Sequence, residues 1–425
     1  MNELNIFYED KNVGIIIYDA PRNEFNFQYN KQWIETGFEL SPSLMFEEEI
    51  SPNTIKNFIE NLLPEGNGLE ILTQYYHLSK QNKFSLLSII GAETTGALTF
   101  SLKNKTKETS FTKISKELLS LRIEQRKEKP LAIWDGKPRL SIAGVQEKLP
   151  VLIIEGVYGF GEGDLASTHI LKFNTTNENL VLNEHLSLML ANSAGLNVAN
   201  SEIVNISKEE VLQVKRFDRI LLENKYVKRI HIIDSNQALN LPVSYKYERN
   251  FGSSRDVKDI REGVSYKKLF NLANICQSPI IVKKELIKWI CVNLCLGNSD
   301  AHGKNISFII DEKGIKLAPF YDIVNITLYE TYDHEMAMAI DNEFSFEKLS
   351  AYDFYGFCKQ MAIDKKMFIK EFKNISKKIL NKLNNIDDLK TNKVRKDFCN
   401  DYQSNVHDRI EQLLLVIEYM KDIKE

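Results

Sequence analysis

The stretch L-C-L-G-N-S-D-A-H-G-K-N-I-S-F-I-I-D-E-K-G-I-K-L-A-P-F-Y-D, Leu294 to Asp322, decides how the chain is read. Ahead of it, Leu286, Ile290 and Leu294 recur at helical spacing, with Ile287 and Cys291 on the same face, which predicts a buried helix. Gly297, free to take a positive φ, ends that helix. Asn298 to Asn305 is polar, cannot continue the apolar face and is expected to be a loop. Ile306 to Ile310 and Ile315 to Ala318 then flank Asp311-Glu312-Lys313-Gly314, the composition of a β-hairpin turn. A hairpin returns the chain to its start, so Asp300, Asn305 and Asp322 are expected to converge on one small volume.

Asp300-x-x-x-x-Asn305 has the spacing of a protein-kinase catalytic loop, in which the Asp takes the proton of the attacking hydroxyl and the Asn binds magnesium. Asp322 would be the second metal ligand, since Mg2+ takes hard oxygen donors and keeps several waters. The competing reading is a turn that only caps, because Asp, Asn, Ser and Gly favour loops in any case. The position of the motif, between a buried helix and a hairpin that ends in another Asp, favours the chemical reading.

Working outward, S-I-A-G-V-Q-E-K at Ser141 to Lys148, T-H-I-L-K-F at Thr168 to Phe173, K-R-F-D-R at Lys215 to Arg219, D-A-H-G-K-N at Asp300 to Asn305 and P-F-Y-D at Pro319 to Asp322 occur in order. Together they resemble the HipA family, bacterial serine/threonine kinases that act as toxins of toxin-antitoxin pairs, over nearly the whole chain. The resemblance implies an α+β, protein-kinase-like two-lobed fold with a mostly helical C-terminal lobe and a small N-terminal α+β subdomain. It also implies ATP contacts from Ala143, Gly144, Val145, Gln146, Glu147, Lys148 and Lys172, and from the hinge-like Lys215-Arg216-Phe217. The same site would include His302, Gly303, Lys304, Asn305, Tyr321 and Asp322, with Mg2+ on Asn305 and Asp322 and catalysis by Asp300 with Lys304 and His302.

By the same resemblance Ser141 is a site of autophosphorylation that switches the kinase off, although a serine there could equally cap a turn. The implied partners are a HipB-like helix-turn-helix antitoxin and a protein substrate, by analogy an aminoacyl-tRNA synthetase. Contact with DNA would run mainly through the antitoxin. Two departures from the family pattern, Asn325 in place of Ser and Ala199 in place of Pro, remove no group that phosphoryl transfer needs. Two other functions compete with the kinase: an ATP-binding module that mainly partners the antitoxin as corepressor, and a metal-dependent phosphohydrolase built from Asp300, His302 and Asp322.

Composition is compatible with this. A chain of 425 residues, 43% hydrophobic and 27% charged, has the make-up of a folded globular protein of two or three domains. A net charge of −3 gives no global attraction to nucleic acid or anionic membrane. No apolar run approaches a membrane span, and the first residues lack the pattern of a signal peptide. The five cysteines lack zinc-finger spacing and suit buried thiols in a reducing bacterial cytoplasm.

Taken in order, residues 1–108 are expected to be the accessory subdomain, 109–218 the kinase N-lobe and 219–425 the C-lobe. Strands are expected over Asn5 to Phe27, a helix from Ser51-Pro52-Asn53 closed by Pro64-Glu65-Gly66, a helix from Phe84 to Gly91 and a strand from Ala97 to Leu102. Lys103 to Glu108 reads as a linker. Ile114, Leu118, Leu121 and Gln125 define a helix face, and Arg126 to Pro130 a solvated charge run. Leu149 to Ile154 suits a central strand, Gly156 to Gly163 a glycine-punctuated turn and Thr168 to Phe173 the returning strand. Asn183-Glu184 opens a helix in which Glu184 either pairs with Lys172 or favours the helix dipole as a first-turn acid. Asp218 and Arg219 suit an ion pair. Gln237, Leu241-Pro242 and Tyr245-Lys246-Tyr247-Glu248 also resemble family segments, but no chemistry follows from their residue types. Asn250 to Glu262 is expected to be a mobile loop. Phe368, Phe372, Ile375, Ile379 and Leu383, and then Val406, Ile410, Leu413, Leu414 and Ile417, trace two core stripes.

Overall fold

The computed structural model describes residues 2–102, 108–139, 147–174 and 179–424. The chain divides into two compact units. One comprises Met1–Thr176, Ala199–Val243 and Ser307–Ala318, and the other Asn177–Val198, Ser244–Ile306 and Pro319–Glu425. The first is rich in sheet and the second largely helical, the mixed α+β architecture expected.

In the first unit an antiparallel sheet runs in the order Glu24–Tyr29, Lys11–Asp19, Glu3–Tyr8, Leu98–Ser101. The helix Pro52–Glu60 has Ser51 as N-cap and buries Ile55, Phe58 and Ile59, as the apolar spacing predicts. This helix ends at Glu60, ahead of the expected Pro64-Glu65-Gly66, and Gly66 opens a further helix, Gly66–Tyr75, whose N-cap, Glu65, makes no side-chain cap bond. Gln237 and Asp234 form a capping box at the start of a short helix, and the Gln237 amide donates to the Phe58 carbonyl at 3.1 Å. Asn57 and Asn61 donate to the carbonyls of Asn240 and Leu241 at 3.0 Å. The family-like segment around Gln237 is therefore structural, tying residues 234–241 to the N-terminal helices.

The second sheet of this unit has six antiparallel strands in the order Ser201–Ile206, Glu209–Lys215, His169–Phe173, Lys148–Ile154, Val157–Glu162, Ser110–Lys113. Lys148–Ile154 is interior, as its apolar run predicts. Residues 157–162 form a strand where a turn was expected, and the turn is confined to Glu155 and Gly156. Gly159 is a packing glycine: a Cβ there would lie 2.3 Å from the Phe111 ring of the neighbouring edge strand. The helix Lys116–Glu124 buries Leu119 and Ile123 against this sheet, while Leu118 and Leu121, the expected face, are 42% and 47% exposed. Both pairs fit a helical period, and the sheet buries Leu119 and Ile123 in one core cluster with Ile114. The expected hairpin is present as Ser307–Asp311 and Gly314–Leu317, joined by Ile232–Asp234 in a three-stranded sheet.

In the second unit the helix Pro279–Leu296 is buried nearly all round over its last turns and ends at Gly297, whose φ of +68° is the left-handed cap expected. A Cβ on Gly297 would also meet the Thr327 hydroxyl at 2.4 Å and the Arg409 side chain at 2.8 Å. The helix Leu180–Ser193 begins before Asn183, which removes the first-turn reading of Glu184: that residue lies beyond the first turn and is buried. The helices Lys365–Leu383 and Lys393–Tyr419 bury the expected stripes, except that Leu414 is only half-buried. Each buried Phe or Ile of these stripes contributes about 1.5–3 kcal/mol by removal of apolar surface from water. All five cysteines are buried and free. Among the described residues no helix is long and apolar enough to cross a membrane.

Candidate active site

Each unit carries its own share of the residues expected for phosphoryl transfer. In the first, Lys172 on the strand His169–Phe173 is the direct cross-strand partner of Lys148. Directly opposed residues of an antiparallel pair project to the same side of the sheet, and both lysines are only 5% exposed.

Glu147, just before that strand, lies 3.5 Å from the Arg126 guanidinium; burial raises its carboxyl above the ordinary range, and Arg126 opposes the rise. Arg126 also binds Glu209 at 2.6 Å and is largely buried, so it does not belong to the solvated charge run expected for Arg126 to Pro130. Ser141, Ala143, Gly144, Val145 and Gln146 lie outside the described residues, as does the linker 103–107.

The hinge-like segment leaves the strand Glu209–Lys215 with Lys215 exposed, and the Arg216 amide donates to the Thr168 carbonyl at 2.9 Å. The Arg216 guanidinium turns inward, donating to both oxygens of Asp218 at 2.9 and 2.7 Å and to the Ser167 hydroxyl at 2.9 Å. Asp218 also accepts from Arg219 at 2.6 Å, the ion pair expected, and from the Gly96 amide at 3.0 Å. Arg219 donates onward to the Thr94 carbonyl, Arg229 to the Ala92 carbonyl, and Glu93 lies 3.6 Å from Arg216. Burial alone would raise the Asp218 carboxyl, but Arg216 and Arg219 outweigh it and hold the group far below the usual carboxylate range. The Arg216 side chain is thus committed to an ionic cluster that fastens residues 92–96. Beside the cluster a cavity of about 570 Å³ is lined by Phe7, Phe100, Phe160, Arg139, Glu93 and Arg229. None of the described residues expected at ATP lines it.

In the second unit the polar loop after Gly297 leads through a single turn, Gly303–Asn305. His302, Lys304 and Asn305 are buried and Asp300 half-buried. The Asn305 amide nitrogen donates to the Asp300 carbonyl at 2.9 Å, which leaves its carbonyl oxygen, a hard donor, as the end that can meet a cation. Asn305 and Asp322 each offer oxygen donors, the type magnesium takes, so the residue types fit that ion. Asp322 itself has a φ of +53°, in the left-handed region. Its segment is anchored by the Phe320 amide on the Asn197 carbonyl at 2.8 Å, by Phe320 stacked on Trp289 and by the Tyr321 hydroxyl on the Lys304 carbonyl at 2.7 Å. The departure at Asn325 is absorbed in a buried network: its amide donates to Asn183 at 2.8 Å and its side chain to Asn405 at 3.0 Å. Among the described residues no three His, Cys, Asp or Glu side chains gather as a metal-binding group, so Asp300, His302 and Asp322 do not form the centre a phosphohydrolase would need.

One residue that sequence reasoning left without chemistry stands against this loop. The Tyr247 hydroxyl donates to Asp300 Oδ1 at 2.5 Å, and its ring meets that of His302 edge-on at 5.2 Å. The only sequence signal was the position of Tyr247 in the Tyr245 to Glu248 segment.

A carboxylate next to an Asn that folds back on the same loop is the apparatus of the protein-kinase class, in which catalysis comes from positioning and charge rather than from covalent intermediates. Comparison with known proteins narrows the class. The HipA-like C-terminal domain model matches residues 140–383 and the HipA N-terminal domain model residues 4–101. The serine/threonine-protein kinase toxin HipA of Shewanella oneidensis is 40% identical over 378 residues, 88% of this chain and 87% of that protein. A putative kinase, Y4mE, of Sinorhizobium fredii is 27% identical over 85% of this chain and 86% of its own length. A solved Shewanella oneidensis HipA, in complex with HipB and its operator DNA, superposes with a TM-score of 0.92 at 38% identity, covering 99% of this chain and 100% of that one. The chain belongs to the HipA family of toxin kinases and is a protein serine/threonine kinase.

Proposed function

We propose that this kinase transfers the γ-phosphate of ATP to serine or threonine of a target protein and so arrests translation and growth, with an aminoacyl-tRNA synthetase as the target class. Asp300 takes the proton of the acceptor hydroxyl, while Lys304, or a protonated His302, balances charge on the transferred phosphoryl. Lys148 and Lys172 hold phosphate oxygens, with Ala143 to Glu147 covering them and the Lys215 to Phe217 segment meeting adenine. Gly303 and Tyr321 complete the nucleotide site. Asn305 and Asp322 hold Mg2+, which when bound neutralises charge on the phosphates. Phosphorylation of Ser141 would bring about −1.5 to −2 of charge next to the triphosphate and expel the loop. A HipB-like helix-turn-helix antitoxin is the partner and carries most of the DNA contact, in a reducing bacterial cytoplasm. In this reading residues 1–108 are the accessory subdomain, 109–218 the N-lobe and 219–425 the C-lobe.

The observation that carries the ATP site is the buried cross-strand pair Lys148 and Lys172. It is tested by equilibrium binding of ATP to the wild type and to Lys172→Met, with melting curves for both. The expected result is affinity lower by about tenfold or more in the variant with the fold retained, as for loss of one close charge pair. Equal affinities would overturn the site.

A further inference from the structure

We infer that Tyr247 is a positioning residue for phosphoryl transfer, holding one oxygen of Asp300 so that the other faces the acceptor hydroxyl. The inference rests on Asp300 being the base proposed above. The Tyr247 hydroxyl donates to Oδ1 at 2.5 Å, and among the described residues it is the one hydrogen-bond donor to that carboxylate. A carboxylate end rotates over a broad, nearly two-fold torsional range, and its two oxygens are equivalent until a donor distinguishes them. One phenol does so, and leaves Oδ2 as the acceptor for the incoming proton.

The backbone on either side makes this hydrogen bond a fixed feature. The Lys246 carbonyl accepts from the Gly303 amide at 2.9 Å, inside the catalytic loop. The Glu248 amide donates to the Ala337 carbonyl at 2.9 Å, and the Ala337 amide donates to the Ser299 carbonyl at 2.9 Å, next to Asp300. The buried Glu248 carboxylate accepts from the Ala339 amide at 2.8 Å and from Arg261 at 2.5 Å. Tyr247 is therefore clamped on both sides to the segments that hold Asp300. Tyr247, packed edge-on to His302, is 36% exposed.

In the step this arrangement serves, the acceptor O–H bond breaks and its proton passes to Asp300 Oδ2. The acceptor oxygen bonds to the γ-phosphorus, and the bond from that phosphorus to the bridging oxygen breaks to release ADP. Tyr247 keeps its proton throughout.

The test uses the full chain with ATP, magnesium and dephosphorylated casein as acceptor, comparing wild type, Tyr247→Phe, Asp300→Asn and the double variant. Tyr247→Phe keeps the ring and removes only the hydroxyl. The expected result is a kcat about tenfold lower with KM for ATP and melting temperature unchanged, and no further loss when the change is added to Asp300→Asn. Wild-type kcat in Tyr247→Phe, beside an inactive Asp300→Asn, would overturn the role of Tyr247 while leaving the base in place. A rise in KM for ATP without a fall in kcat, or the same tenfold loss on top of Asp300→Asn, would also overturn it. Full activity of Asp300→Asn, or a wild type that labels no protein, would remove the base assignment and this inference with it.

Discussion

Asp218 is buried and receives two hydrogen bonds from Arg216, one from Arg219 and one from the Gly96 amide. Asp300 is half-buried, and among the described residues its carboxylate receives one, from Tyr247. The first aspartate has its lone pairs occupied and its charge neutralised by fixed guanidiniums, so it has nothing left to offer a reactant. The second is oriented but keeps an oxygen open. The saturated carboxylate serves structure, and the one with a single donor is the one proposed as the base.

The largest effect should come from breaking the saturated site. Asp218→Ala leaves Arg216 and Arg219 buried without their counter-charge, and the cost should be about 3–5 kcal/mol of unfolding free energy, as for other buried pairs that lose one partner. Denaturant unfolding measures it, and a change below about 1 kcal/mol would show that the cluster is not holding residues 92–96 in place.

A smaller effect sharpens the comparison through pH. His231 is buried and neutral, with Nε2 2.9 Å from the Leu40 carbonyl; burial pushes its pKa down to about 4, and that carbonyl opposes the shift. His169 is pushed to about 4 as well, by burial and then by Lys215 directly across the strand pair. The unfolded chain takes up these protons from about pH 6.5, so the stability they contribute is complete above that value and is lost as pH falls toward 4. The depressed Glu93 and Asp218 carboxyls add losses at lower pH, as each is protonated in the folded state. Melting temperature should fall between pH 6.5 and 4, and less steeply in His231→Gln. Parallel curves for variant and wild type would show that His231 does not contribute to the slope.

The parts of the fold that could be read from the sequence were those whose signals were local. Gly297 requires positive φ, Ser51 caps its helix, and the five apolar positions from Phe368 to Leu383 repeat at helical period in one helix. What stayed hidden depends on neighbours remote in sequence. Leu119 and Ile123 are inward because of the sheet they meet, and Gly159 lies in a strand because it pairs with Leu152 and Lys113, with Phe111 occupying the space a side chain would take. Gly66–Tyr75 starts at a residue that gives no capping bond, so nothing announces it. The same division holds at the site. The spacing of Asp300, Asn305 and Asp322 singles them out as candidates, whereas Tyr247 lies 53 positions before Asp300 and carries no mark of its own.

The most direct test of the open Asp300 carboxylate is the intact mass of phosphatase-treated protein after incubation with ATP and magnesium, for wild type and Asp300→Asn, with peptide mapping. Removing a general base should cost about 10²-fold or more in rate. The wild type should gain one phosphate on Ser141, and the variant should stay unmodified over the same interval while still binding ATP. A variant that gains phosphate at the wild-type rate would contradict the assignment of Asp300 as the base.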